Sequence, residues 1–337
     1  MKLKLPNWAL LLVALGVGVL VQLAISFEVL NDYWALILTY MCIMIVTSLG
    51  LNIIYGFTGQ FSLGHAAFFG LGAYAAALIT RYGGATPWMF VIALIGGGLL
   101  AAFVGYLVGL PILRLRFDYL GIATLGFGII VKVLLDNSDR VIPATSGARG
   151  MTGIAELTSF LWAYVILLVA IIVTRNLRFS SVGRACLSIR EDDVAANLMG
   201  IDVVHYKTVA FVLGCFYAGV AGGLYAHAYV FLHPSSFGFV KSFDPLLIVV
   251  LGGLGSITGT VIAGAAWVLV LEGLRMALPG DVLEWRYVIY PLILIVMMLL
   301  RPQGLFGTNE ARIVEPTEPE PAQPVVAGKV RTDGAHS

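Results

Sequence analysis

The chain has 337 residues, of which 59% are hydrophobic and 12% charged, with a net charge of +1, whereas soluble domains carry about 25% charged residues. This composition excludes a soluble fold, and with no basic stripe outside short loops it excludes nucleic acid as a partner. The 39 glycines follow no three-residue period and sit inside apolar runs, where small residues let membrane helices approach closely.

A spanning helix needs about 20 mostly apolar residues. In chain order such runs fall near 8–26, 34–55, 61–80, 87–110, 118–135, 160–175, 208–231 and 286–300. The apolar stretch 243–277 is broken at Gly252-Gly253-Leu254-Gly255-Ser256 and reads as a short span or half-helix followed by a full span. The expected fold is an all-α bundle of about ten transmembrane helices, with eight as the alternative. The first run follows Lys2 and Lys4 and carries a weak Ala24-x-Ser26 pattern. Its length favours an uncleaved anchor over a signal peptide.

Short loops rich in Lys and Arg mark the cytoplasmic side. Lys2 with Lys4, Arg114 with Arg116, and Arg175, Arg178, Arg184 and Arg190 all fall inside in one count, and Arg301 requires an even number of crossings. Arg81 and Lys241 are the exceptions. Both termini are therefore expected in the cytoplasm, and the Pro- and Glu-rich segment 308–337 reads as a disordered tail after a transmembrane domain spanning 1–307. Cys42, Cys186 and Cys215 lack metal or disulfide spacing and read as buried small hydrophobes.

Ionisable groups near the bilayer centre are costly and mark ion pathways. Lys132, His227, Glu272 and Arg275 fall in terminal turns where snorkelling accommodates them, and Asp118 and Asp244 fall where helices begin. No carboxylate reads as mid-membrane, so an ion-coupled secondary carrier of a small apolar solute is the weaker alternative. An ATP-driven pump needs a Gly-x-x-x-x-Gly-Lys-Ser/Thr loop. Only Lys329 follows a glycine, and Val330 stands at the hydroxyl position. If ATP drives transport, it binds a separate polypeptide that docks on the cytoplasmic side.

The long inner loop 176–206 contains two amphipathic pieces. Arg184 to Arg190 forms the first; in the second, Glu191, Asp192 and Asp193 open a helix that Gly200 closes. Val194, Ala195, Leu198 and Met199 share one face beside Ala196. Such a helix either inserts an apolar ridge into a partner's groove or rests on lipid.

Four stretches carry a likeness to a known family: Leu51 to Tyr74, which includes Tyr55-Gly56-Phe57-Thr58-Gly59-Gln60-Phe61-Ser62-Leu63-Gly64-His65; Gly183 to Ile201; Gly252 to Gly259; and Arg301 to Gly307. The chain resembles the LivM-type permease subunits of branched-chain amino-acid ABC transporters over most of 34–307. That resemblance implies a second, LivH-like permease, two ATP-binding subunits and a periplasmic substrate-binding protein, with no cofactor on this chain and no catalysis by it. It also implies that Arg184, Arg190, Asp192, Asp193, Ala195, Ala196, Leu198, Met199 and Gly200 belong to a coupling helix that contacts the ATPase.

Gly56, Gly59 and Gly64 weaken helical propensity, so the backbone between the second and third spans is expected to turn within or near the membrane. Polar backbone there is tolerated only against protein or a water-filled cavity. Thr58, Gln60, Ser62 and His65 offer hydrogen-bonding groups, either to a pathway or simply to the local backbone. The second break, at Gly252, Gly253, Gly255 and Ser256, is expected to face the first across the subunit, both lining the translocation pathway. His65 has no second ligand at metal spacing. No Gly-x-Ser-x-Gly elbow points to an intramembrane enzyme. The solute itself, whether leucine, isoleucine, valine, another amino acid, urea or a small carboxylate, is not encoded in these motifs.

Overall fold

A computed structural model describes residues 7–28, 30–113, 117–277, 292, 295, 296, 299, 304, 305 and 307. The expected inner-loop arginines Arg114 and Arg116, most of the expected span 286–300 and the whole tail 308–337 lie outside these residues. The helices are α1 (Asn7–Ser26), α2 (Asp32–Leu51), α3 (His65–Gly83), α4 (Pro87–Ile112), α5 (Phe117–Asp136), α6 (Phe160–Phe179), α7 (Ser181–Glu191), α8 (Asp193–Leu198), α9 (Val203–Tyr229), α10 (Phe243–Gly252) and α11 (Ile257–Ala277). Among the described residues the only strand-like pairing is one antiparallel bridge, Met151 with Leu232.

Six of these segments are long and apolar enough to cross a membrane: α2 with its extension to Gly56, α4, most of α5, α6, α9 and most of α11. The sequence runs predicted these elements, and α1 and α3 match two further runs with 20 and 19 residues. The ten residues of α10 extend only about 15 Å, half a bilayer core. The glycine break therefore leaves a half-helix before a full one.

Helix α2 is buried along most of its length, with α3, α4 and α9 packed together beside it. Their closeness depends on glycine: a Cβ at Gly72 would collide with the Gly219 carbonyl, and one at Gly97 would stand 2.7 Å from the Gly72 carbonyl. Three backbones thus touch directly, as membrane helices do when packing has to replace the hydrophobic effect between them. The outer surface is apolar instead. Ile92, Ile95, Leu99, Phe103 and Tyr106 form an exposed stripe along α4, the pattern of a lipid-facing helix.

Several isolated charges have specific seats. Lys132 pairs with Asp136 at 3.0 Å, and Glu272 lies 3.8 Å from Arg275 and also accepts from Tyr33. Arg81, one exception to the loop-charge rule, donates to the Ala144 and Thr152 carbonyls of the 137–159 connection. His227 corrects an expectation: it does not snorkel but is fully buried, bonded to Thr80 at 2.9 Å and to the Gly223 carbonyl at 2.8 Å. A ring in the last turn can point inward as readily as outward, and here Phe90 packs on it. All three cysteines are free and buried.

Candidate functional site

Helix α2 ends in a π-helical turn, Asn52–Gly56. Such wide turns are rare and concentrate at functional positions. The chain then turns back through Gly59, which has a positive φ of 73°, and re-enters α3 at His65. On the other side, α10 stops at Gly252, and Gly253 and Gly255 take φ values of 106° and 81°, a region that glycine enters without steric cost.

The two breaks do not face each other across the subunit; they touch. Asn52 is fully buried and donates from Nδ2 to the Ser256 carbonyl at 3.1 Å, while its Oδ1 accepts from Gly255 N–H at 2.9 Å. An ideal Cβ at Gly56 would lie 2.5 Å from Gly255 N. The Asn52 amide thus satisfies a carbonyl and an N–H of the second break, so these two groups need no water in this conformation. Asn52 was missing from the expected site. Its signal was an amide inside the apolar run Leu51-Asn52-Ile53-Ile54.

The loop 176–206 packs over this junction. Arg190, in the last turn of α7, donates to the Gly56 carbonyl at 2.8 Å and lies 3.5 Å from the Leu254 carbonyl, and Glu191 holds its guanidinium at 2.8 Å. Arg178 donates to the Gly255 carbonyl at 2.5 Å. Together with Leu187 and Ser188 these residues line an open recess of about 330 Å³. Arg184 instead donates to the Phe179 carbonyl, away from the junction.

Beyond α7 comes α8. Asp192 caps it by accepting from the N–H groups of Val194 and Ala195 at 2.8 and 3.0 Å, and Gly200 ends it with a φ of 85°, both as the sequence predicted; Asp193 also pairs with Lys207, which the sequence did not announce. Val194, Leu198 and Met199 are 70%, 83% and 83% exposed, and Ala195 is exposed beside them. Ala196 departs from the expected contact face. It is 4% exposed, one position round the helix from Ala195, and anchors α8 to its own subunit.

Thr58, Gln60, Ser62 and His65 are all buried. Thr58 bonds only the Ile54 carbonyl, Gln60 Nε2 reaches the Lys207 carbonyl at 3.1 Å, and His65 Nε2 meets the Thr47 carbonyl at 3.0 Å. Gln60 Oε1, Ser62 Oγ and His65 Nδ1 find no partner among the described residues. Gly64 packs against the Thr124 carbonyl. These side chains serve the turn first, and retain acceptor and donor capacity beyond it.

Asp244 stands in the first turn of α10, as expected. Ala66 N–H, in the first turn of α3, donates to Ser242 Oγ at 3.0 Å, which places the start of α10 within the bundle. Asp244 is paired there with Lys241 at 2.7 Å.

A family model described as branched-chain amino acid transport system / permease component matches residues 33–298. The chain is 34% identical over 311 residues to the high-affinity branched-chain amino acid transport system permease protein LivM of Escherichia coli K12, covering 82% of this chain and 71% of that protein. It is 28% identical over 290 residues to the corresponding LivH of Salmonella typhimurium, covering 79% and 92%. A probable LivM of Methanocaldococcus jannaschii is 23% identical over 321 residues, covering 81% and 93%. No solved structure matches.

Proposed function

Because this chain belongs to the family of branched-chain amino acid transport permease components, we propose that it is the membrane-spanning subunit of an ATP-binding-cassette importer in a cell inner membrane. In this reading it moves branched-chain amino acids after delivery by a periplasmic binding protein. It pairs with a LivH-like permease and two ATP-binding subunits that hold the ATP, and it is not an enzyme itself. Family membership disfavours the secondary-carrier alternative.

The observation that carries the coupling mechanism is Arg190. This one side chain, on the inner loop, hydrogen-bonds the Gly56 carbonyl and approaches the Leu254 carbonyl, so a push on α7 and α8 reaches both broken helices without an intermediary. Val194, Leu198 and Met199 supply an apolar ridge for a partner's groove. Glycine at the breaks lets the backbone re-pair as the junction opens. Counting 234–252 as one crossing and 286–300 as the last gives about ten, which agrees with basic inner loops and both termini in the cytoplasm.

Reconstitution into liposomes with and without the partner subunits tests the reading. The complete assembly is expected to take up leucine, isoleucine or valine only with ATP and a loaded binding protein. Uptake by this chain alone, driven by a proton or sodium gradient, would overturn it.

A further inference from the structure

The ion pair at the start of α10 lies at a depth where a structural pair is costly. Lys241 Nζ meets Asp244 Oδ2 at 2.7 Å and Tyr40 Oη at 2.8 Å. Tyr40 stands eight residues after Asp32 on the apolar span that ends at Gly56, about 12 Å along its axis. The same lysine also lines a small cavity with Met44, Thr47, Ala66, Phe69 and Pro245, and Thr47 is about 22 Å along that span. The side chains of Lys241 and Asp244 remain 36% and 17% exposed. Accessible charges at such depth cost about 2.5–3.5 kcal/mol each against lipid and face instead a water-filled space or another subunit.

We propose that Lys241, Asp244 and Tyr40 form a binding site for the charged backbone of an α-amino acid on its way through the membrane, with the side chain lodged in the adjoining apolar and aromatic cleft. The inference rests on the transport reading above and names the permease's own contact with the solute. A zwitterion matches the site group for group. Its carboxylate replaces Asp244 on Lys241 and takes the Tyr40 O–H, which is free to donate because the Tyr40 oxygen is the acceptor toward lysine. Its ammonium takes the released Asp244. Two charge-assisted contacts thus succeed one, and no net charge enters the membrane.

The neighbouring surface suits an apolar side chain. Phe69 lines the cavity with Met44 and Pro245 and carries the Tyr225 ring at 5.4 Å, and Tyr225 in turn packs on Tyr40 at 6.5 Å and Tyr229 at 4.6 Å. The cavity holds only about 10 Å³, room for one water molecule. The described conformation is therefore closed, and the solute enters as these rings part.

The test replaces both charges at once, Lys241→Met with Asp244→Leu, in the complete transporter reconstituted with its binding protein. Removing a pair together leaves no orphaned charge and is often neutral for folding. Leucine uptake is expected to fall at least about tenfold while the subunits still copurify and ATP hydrolysis still responds to loaded binding protein. Uptake within twofold of wild type would overturn the proposal and make the pair a staple for the 230–242 connection. So would uptake and stimulated hydrolysis falling together. Tyr40→Phe, which removes only a hydroxyl, guards against misassembly of the double variant: a loss of about tenfold in uptake at saturating loaded binding protein is expected, and an unchanged rate counts against the site. Should wild-type transporter move no branched-chain amino acid, the error lies in the parent reading, and the proposal falls with it.

Discussion

Asn52→Ala isolates the contact that joins the two broken helices. The Ser256 carbonyl keeps its bonds from Thr260 N at 3.2 Å and Thr260 Oγ1 at 2.8 Å, so its loss of Asn52 is minor, near the average of about 0.6 kcal/mol for polar contacts between membrane helices. Gly255 N–H, in contrast, loses the acceptor at 2.9 Å, and an unsatisfied buried donor costs about 1–3 kcal/mol. The sum is about 2–4 kcal/mol. Thermal unfolding of the purified assembly in detergent should then fall by about 4–8 °C. Ser48→Ala is the matched control, since Ser48 is equally buried but bonds only the Met44 carbonyl one turn back, and its change should stay within about 0.5 kcal/mol. ATP hydrolysis by the Asn52→Ala assembly should also respond less to loaded binding protein. Equal melting of the two variants, with stimulation intact, would refute the idea that Asn52 holds the junction.

Leu198→Glu with Met199→Glu should leave membrane levels normal but abolish copurification of the ATP-binding subunits, whereas Ala196→Glu should lower membrane levels, because it places an unpaired charge at a buried position; a pull-down at matched amounts compares them. Burial pushes the Cys186 thiol up to about 11, so it stays protonated across pH 7–9, and a maleimide should label it only after denaturation; rapid labelling of folded protein would place it at the surface. Cysteines introduced at Thr58, Gln60 or Ser256, each 2% exposed or less, should be protected in the closed state and react with a small aqueous thiol reagent in at least one nucleotide state. Protection in every state would make the breaks permanent structural turns.

Helix positions were legible because a bilayer imposes a length and an apolar composition that periodicity need not supplement. Both glycine breaks were legible for a related reason, as Gly252-Gly253-Leu254-Gly255 interrupts an apolar run that has no other cause to stop. What they touch was not. Asn52 and Gly255 are 203 residues apart, and nothing in either motif names the other. The fate of single side chains was also hidden: His227 and Glu272 occupy similar terminal turns, yet one is buried on Phe90 and the other pairs near a helix end. Ala195 and Ala196 are indistinguishable by residue type, and only the docked orientation of α8 separates contact from anchor.

The exposed trio on α8 has a consequence for the cell's inventory of subunits. Val194, Leu198 and Met199 are left uncovered by their own chain, and an uncovered apolar ridge facing water invites self-association and surveillance. If the proposed ATP-binding subunits are what covers it, copies made in excess of them carry that ridge bare from the moment of insertion. Balanced synthesis of the two polypeptides therefore protects this one, and its steady-state abundance should track the supply of its partner rather than its own rate of translation.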